Sequence, residues 1–190
     1  DSINLLKEKI NKLGGELIIL YGDPIELIPL WAKKIGAKSV FTNEDYEGYA
    51  KKRDLQIKRI LSKEKIEFNS FKDQVIFKGD EVLKKDGTPY RVYTPYKNEW
   101  LRRISEHDIK AYNPNYKKFN CSKFKYKKIS LKNMGFDRAA LKSEVGENWV
   151  ESLFKEFLKR IDSYNENRDK IFLDNNSNLS LYLRFGVVSI

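Results

Sequence analysis

GELIILYGDPIELIPLWAKKIGAKSVFTN, residues 15–43, is the stretch whose reading decides the fold class. Glu16–Tyr21 is almost wholly apolar and short, as expected of a strand covered on both faces. Gly22-Asp23-Pro24 turns the chain and opens a helix over Ile25–Ile35, which Gly36 ends. Lys38–Thr42 reads as the next strand. Upstream, Ser2 can cap a helix with Ile3, Leu6, Ile10 and Leu13 on one face, stopped by Gly14-Gly15. Downstream, Asn43–Tyr46 is a loop, and a further helix runs to about Leu61. Helix, strand, helix, strand, helix with short turns predicts an α/β fold: an open, parallel, Rossmann-like sheet with flanking helices.

Such sheets bind ligands at the carboxyl ends of their strands. Gly22-Asp23 and Thr42-Asn43-Glu44-Asp45-Tyr46 occupy those places. Neither is a glycine-rich fingerprint or a phosphate-cradling loop, so neither names a nucleotide. Beyond them, Asp86-Gly87 predicts a tight turn. Thr94 and Pro95 suit the start of a helix around Lys97–Leu101. These residues read as packing.

From His107 to Lys132 the periodicity fades. Lys117, Lys118, Lys123, Lys125, Lys127, Lys128 and Lys132 alternate with Tyr116, Phe119, Phe124 and Tyr126. Such interleaving can bind single-stranded nucleic acid. A linker whose aromatics dock on the adjacent surface is the preferred reading. Val145–Trp149 then opens a helix with Val150, Leu153, Phe154, Phe157, Leu158 and Ile161 on one face. It delivers Tyr164 and Arg168 at its end.

The last stretch, YNENRDKIFLDNNSNLSLYLRFGVVSI (164–190), holds the most specific chemistry. Asn176 and Ser177 are good N-cap residues, followed by apolar positions at roughly helical spacing. A helix starting there would offer free N–H groups, hydroxyls and a positive dipole end to a phosphate or pyrophosphate. On local features alone, a capped core helix is the simpler account.

Composition narrows the classes. There are 37 Lys and Arg against 27 Asp and Glu, a net charge of +10. That excess favours a polyanionic partner such as nucleic acid, although the Lys, Asn and Ile bias accounts for part of it. The single cysteine, Cys121, excludes a disulfide framework and fits a reducing cytosol. The single histidine, His107, lies between Glu106 and Asp108 on a charged stretch and reads as solvated. There is no zinc spacing, paired acid–base constellation, membrane-length apolar run or secretory signal. The chain begins at Asp1 without Met and stops at Ile190 inside an apolar helical pattern, so we expect a piece of a longer protein.

Three strings together resemble the DNA photolyase/cryptochrome family, most closely its deoxyribodipyrimidine members. GELIILYGDP with VFTNEDYEGYAKKRD is similar to the family's amino-terminal domain, whose first strand would lie upstream of Asp1. FKDQVI (71–76) and DGTPYRVYTPY (86–96) continue the likeness. Tyr164, Arg168, Asp169, Ser177, Leu179, Ser180, Tyr182, Leu183, Phe185 and Gly186 match the entry into the flavin domain. The chain departs from it at Asn176, where Thr is usual, and at Leu181, where Pro is usual. Asn caps as well as Thr, and the missing Pro removes no ligand.

The resemblance implies an antenna α/β domain over residues 1–105, a linker over 106–135 and the start of a helical FAD-binding domain over 136–190. By it, Tyr164 contacts FAD. Asn176, Ser177, Asn178, Leu179 and Ser180 hold the pyrophosphate and ribityl region, and Arg168 meets the DNA backbone. No catalytic or metal-binding residue is assigned. Trp31, Trp100 and Trp149 are not cast as electron-relay residues. The resemblance implies light-dependent splitting of cyclobutane pyrimidine dimers in UV-damaged DNA by a cytoplasmic monomer with no membrane partner. This piece alone is expected to be inactive. An antenna chromophore of folate or deazaflavin type is also implied. Tyr49 and Ala50 stand where a folate-binding subgroup places Asn-Glu and do not match it. The alternatives are a cryptochrome photoreceptor and a basic nucleic-acid-binding module without catalysis.

Overall fold

The computed structural model describes residues 1–119, 124–127, 129–137 and 146–189. Cys121, Lys123, Lys128, Val145 and Ile190, singled out above, lie outside the described residues. Two compact units form: residues 20–115 make one, and residues 1–19 with 116–190 make the other.

In the 20–115 unit, α2 (Pro24–Lys34) starts as the sequence predicts. The Asp23 carboxylate accepts from the Ile25 amide at 2.8 Å, and Pro24 fills the first turn, where no N–H is needed. The helix ends at a left-handed Gly36, φ 66°, with the Ala37 amide returning to the Ala32 carbonyl at 2.9 Å. Strand β1 (Ser39–Asn43) follows, then the sixteen-residue α3 (Gly48–Lys63), then β2 (Glu67–Phe71). The strands pair in parallel, from Ser39 opposite Glu67 to Asn43 opposite Phe71. This is a small parallel sheet with flanking helices, the expected class.

One face of the sheet is packed. Val40 and Phe68 point with Ile25 and Ile28 onto a core of Ala32, Ile57, Leu61 and Ile66. The period of two sends Phe41 and Phe71 to the other face, where their rings stack at 6.1 Å while largely exposed. Helix α4 (Tyr93–Arg103) continues this unit, and Trp100 meets Phe77 edge-on at 5.6 Å.

One strand expectation fails. Glu16–Tyr21 forms no strand, although residues 16–20 are half-buried. Apolar patterning predicts an extended, covered segment. A strand also needs a neighbour for its amides and carbonyls, and β1 pairs only with β2 among the described residues. β2 is a strand to which the sequence reading assigned no element.

In the other unit, α1 (Ser2–Lys12) and α5 (Glu147–Leu158) are amphipathic, and α5 buries Val150 and Phe157. A 3₁₀ turn at Ile161–Ser163 leads into the one-turn α6 (Tyr164–Asn167), and α7 (Ser180–Arg184) closes the described chain. In the basic, aromatic segment, Phe124, Tyr126 and Ile129 turn inward while Lys125 and Lys127 are exposed. The Tyr126 hydroxyl meets the Leu17 carbonyl at 3.4 Å and the Lys7 ammonium. Of the four aromatics, Phe124 and Tyr126 turn inward, whereas Tyr116 and Phe119 are exposed.

Candidate functional site

The residues assigned to a cofactor lie on a short path from the end of α5 to the start of α7. Tyr164 is half-buried and stands edge-on to Phe157 at 5.5 Å, which fixes its ring against α5. Arg168, four residues on, is exposed and among the described residues pairs only with Asp169, at 3.6 Å. A guanidinium held that loosely is available to an external anion.

The predicted helix start needs correction. The helix begins at Ser180 with Leu179 in the cap position and no side-chain cap, so Asn176 and Ser177 do not cap it. The cause lies at Asn178, which adopts a left-handed conformation, φ 54°, and donates from its amide to Asp174 Oδ1 at 3.0 Å. A helix cannot run through a left-handed residue. Residues 175–179 form a loop in which Asn175, Ser177 and Leu179 turn inward and Asn176 and Asn178 outward, as does Ser180 at the helix start. A five-residue helix carries little macrodipole. The capacity to hold an anion therefore passes to the loop's hydroxyls and to a neighbouring charge.

That charge is Arg160, which sequence reasoning missed. Its Nη2 donates to the Asn176 carbonyl at 3.5 Å, while its Nε is enclosed and has no partner among the described residues. Arg160 lies four residues before Tyr164, just ahead of a 3₁₀ turn, and no local sequence signal marks it. It ties the end of α5 to the loop and brings a permanent cation beside Asn176. The Ser177 and Ser180 hydroxyls make no hydrogen bond among the described residues. Two unengaged hydroxyls and a guanidinium with an unpaired, enclosed N–H are the donor set that a diphosphate needs. The residues present therefore fit a flavin dinucleotide's linking phosphates.

Below the loop the packing is apolar. Tyr182 is buried, and its hydroxyl accepts from the Trp149 indole N–H at 3.0 Å. α5 and α7 enclose a cleft of about 630 Å³ lined by Val150, Phe154, Leu179, Leu183, Val187 and Val188.

The 20–115 unit has a second, polar cleft of about 620 Å³ beyond the carboxyl ends of β1 and β2, lined by Glu44, Asp45, Tyr46, Lys51, Ser70 and Lys78 among others. Lys78 pairs with Glu44 at 3.1 Å and Lys72 with Glu81 at 2.9 Å. The hydrogen bond to Glu44 raises the Lys78 pKa, and the bond from Lys72 lowers that of Glu81. The Tyr46 hydroxyl is enclosed without a partner among the described residues, and burial pushes its pKa up. The sequence placed Thr42–Tyr46 at this position.

Fold and site together define a small parallel α/β unit and a mostly helical unit whose Asn175–Leu179 loop lies beside Arg160. The sequence model described as DNA photolyase matches residues 1–115. A deoxyribodipyrimidine photo-lyase of a Synechococcus species is 28% identical over 97% of this chain and 40% of its own length. One from Alkalihalophilus pseudofirmus is 30% identical over 96% and 39%. The crystal structure of a class III photolyase from Agrobacterium tumefaciens superposes with a TM-score of 0.84 at 25% identity, covering 99% of this chain and 40% of that one. A Synechocystis cryptochrome shares the fold, with a TM-score of 0.78 at 18% identity over 99% and 41%.

The chain belongs to the DNA photolyase family. It spans about 40% of the length of the relatives it matches. Among the described residues, no helix is long and apolar enough to cross a membrane and no cluster could hold a metal ion.

Proposed function

We propose that the protein to which this chain contributes is a deoxyribodipyrimidine photo-lyase, a cytoplasmic monomer that uses light and FAD to split cyclobutane pyrimidine dimers in UV-damaged DNA. Within it, residues 1–105 serve as the antenna domain, 106–135 as a linker and 136–190 as the start of the flavin domain. When bound, the reduced flavin supplies the light-driven electron that opens the dimer and takes it back.

The chain's own residues bind and position. Ser177 and Ser180 donate hydroxyl hydrogen bonds to the diphosphate, and Arg160 neutralises its charge. Asn176, Asn178 and Leu179 shape the loop, and Tyr164 packs beside the cofactor. Arg168 contacts a DNA phosphate near the lesion, a contact that orients the duplex and carries no sequence information. Extruding the damaged nucleotide is cheapest where stacking is already weak, which favours a dimer over intact bases. The polar cleft at the carboxyl ends of β1 and β2 lies where an open α/β sheet takes ligands, and it is our candidate place for an antenna chromophore. The observation that carries the reading is the Ser177–Ser180 loop with Arg160 at its back.

The fold shared with a cryptochrome favours one second reading, a blue-light photoreceptor on the same scaffold. Illuminating the full-length protein with a thymine-dimer oligonucleotide separates the two. Light-dependent loss of the dimer is expected. A flavin photoresponse with every dimer intact would move the assignment to the photoreceptor.

A further inference from the structure

The longest helix of the 20–115 unit presents a charged surface that the flavin reading does not use. α3 buries Ala50, Ile57 and Leu61. At about 100° per residue, the arc opposite these three carries Lys52, Arg59 and Lys63, and Lys51 and Lys58 stand at its edge. All five are exposed. No carboxylate lies on that arc. The only acid within α3, Asp54, is paired with Arg53 at 2.7 Å, and Glu64 just beyond the helix is paired with Lys33 at 2.8 Å. None of the five cations makes a salt bridge or side-chain hydrogen bond among the described residues.

We propose that this ridge of α3 is a second DNA-docking surface, which grips the phosphate backbone of undistorted duplex without reading its sequence. Lys52, Arg59 and Lys63 form a straight row, with rises of about 10 Å and 6 Å at about 1.5 Å per residue. A rigid line of unpaired cations suits a rod that carries a negative charge every 1.7 Å or so of its axis. It does not suit a membrane. A helix that lies in a bilayer surface must bury its apolar face there, and the apolar face of α3 is committed to Ala32 and Ile66 in the core. A solvated basic face would leave DNA binding unchanged when its charges are removed, and this sets the test.

The test is a salt titration of binding between the 190-residue chain and a fluorescein-labelled, undamaged duplex in the dark, read by anisotropy. The K52Q/R59Q/K63Q variant alters only exposed side chains, and circular dichroism confirms its fold. Each lost phosphate contact lowers the slope of log affinity against log salt by about 0.9, so the triple variant is expected to flatten it by between about 2 and 3. A charge-matched triple, K12Q/K110Q/K170Q, is expected to keep the wild-type slope. Equal slopes for wild type and the α3 triple overturn the proposal, as does an equal loss in the control triple. Failure of the wild-type chain to bind duplex, or loss of binding to phosphatidylserine vesicles alone, also overturns it. The assay uses neither light nor lesion, so its failure leaves dimer repair standing, and absence of repair leaves this surface standing.

Discussion

The indole N–H of Trp149 on α5 donates to the hydroxyl of Tyr182 on α7 at 3.0 Å, and Tyr182 is 6% exposed. This bond joins the two helices that flank the Asn176–Ser180 loop. Trp149→Phe keeps a ring and removes the donor. A lost internal hydrogen bond of this kind costs about 1 kcal/mol. We expect a lower urea midpoint with an unchanged slope. An unchanged midpoint would show that the contact contributes nothing to holding α7.

The end of α3 offers a second measurement. The Ile66 amide returns to the Leu61 carbonyl at 3.0 Å, the same closure that Ala37 makes at the end of α2. Position 36 is Gly, but position 65 is Lys, held at φ 57°. A side chain in the left-handed region costs on the order of 1 kcal/mol. Lys65→Gly should therefore raise the thermal midpoint slightly, and Gly36→Ala should lower it. A neutral or destabilising Lys65→Gly would contradict this account.

Glu99 on α4 accepts from Arg102 Nη2 at 2.7 Å and from Arg103 Nε at 2.6 Å. These bonds, Arg102 first, lower its pKa from 4.5 to about 2. The folded-state value is depressed, so the stabilisation is present above pH 4.5 and is lost as pH falls towards about 2. Carboxyl titration by NMR should find Glu99 still ionised well below the ordinary carboxylate range. Glu99→Gln should remove that difference in the acid limb of a helicity titration. A normal Glu99 titration would show that the arginine fork does not persist in solution.

Much of the α/β part is legible in the sequence, because its signals are local. Asp23-Pro24 and Gly36 bracket α2 to within a residue, and Val40 and Thr42 sit in β1 as the short apolar run predicts. Glu16–Tyr21 is misread because apolarity reports burial, whereas a strand depends on a partner elsewhere in the chain. The loop before α7 is misread because Ser and Asn favour caps and turns alike, and only the backbone at Asn178 decides between them. Arg160 escapes because its role depends on the Asn176 carbonyl sixteen residues away. The sheet class and the loop as a place of interest were within reach of the sequence, but the cation that completes the loop was not.

The 190-residue chain taken alone should retain little flavin, since it spans only about 40% of the relatives' length. Visible absorbance of the purified chain checks this. A yellow product with one flavin per chain would show that the loop and its neighbours suffice, against our expectation.

Flavin occupancy of the full-length protein after Arg160→Gln, and separately after Ser177→Ala with Ser180→Ala, tests the diphosphate loop most directly. A charged hydrogen bond is worth about 1.5–3 kcal/mol, so Arg160→Gln should weaken FAD binding by roughly ten- to a hundredfold. The double serine variant should weaken it as well, with circular dichroism unchanged in both. Undiminished flavin affinity in both folded variants would contradict the assignment of this loop to the cofactor.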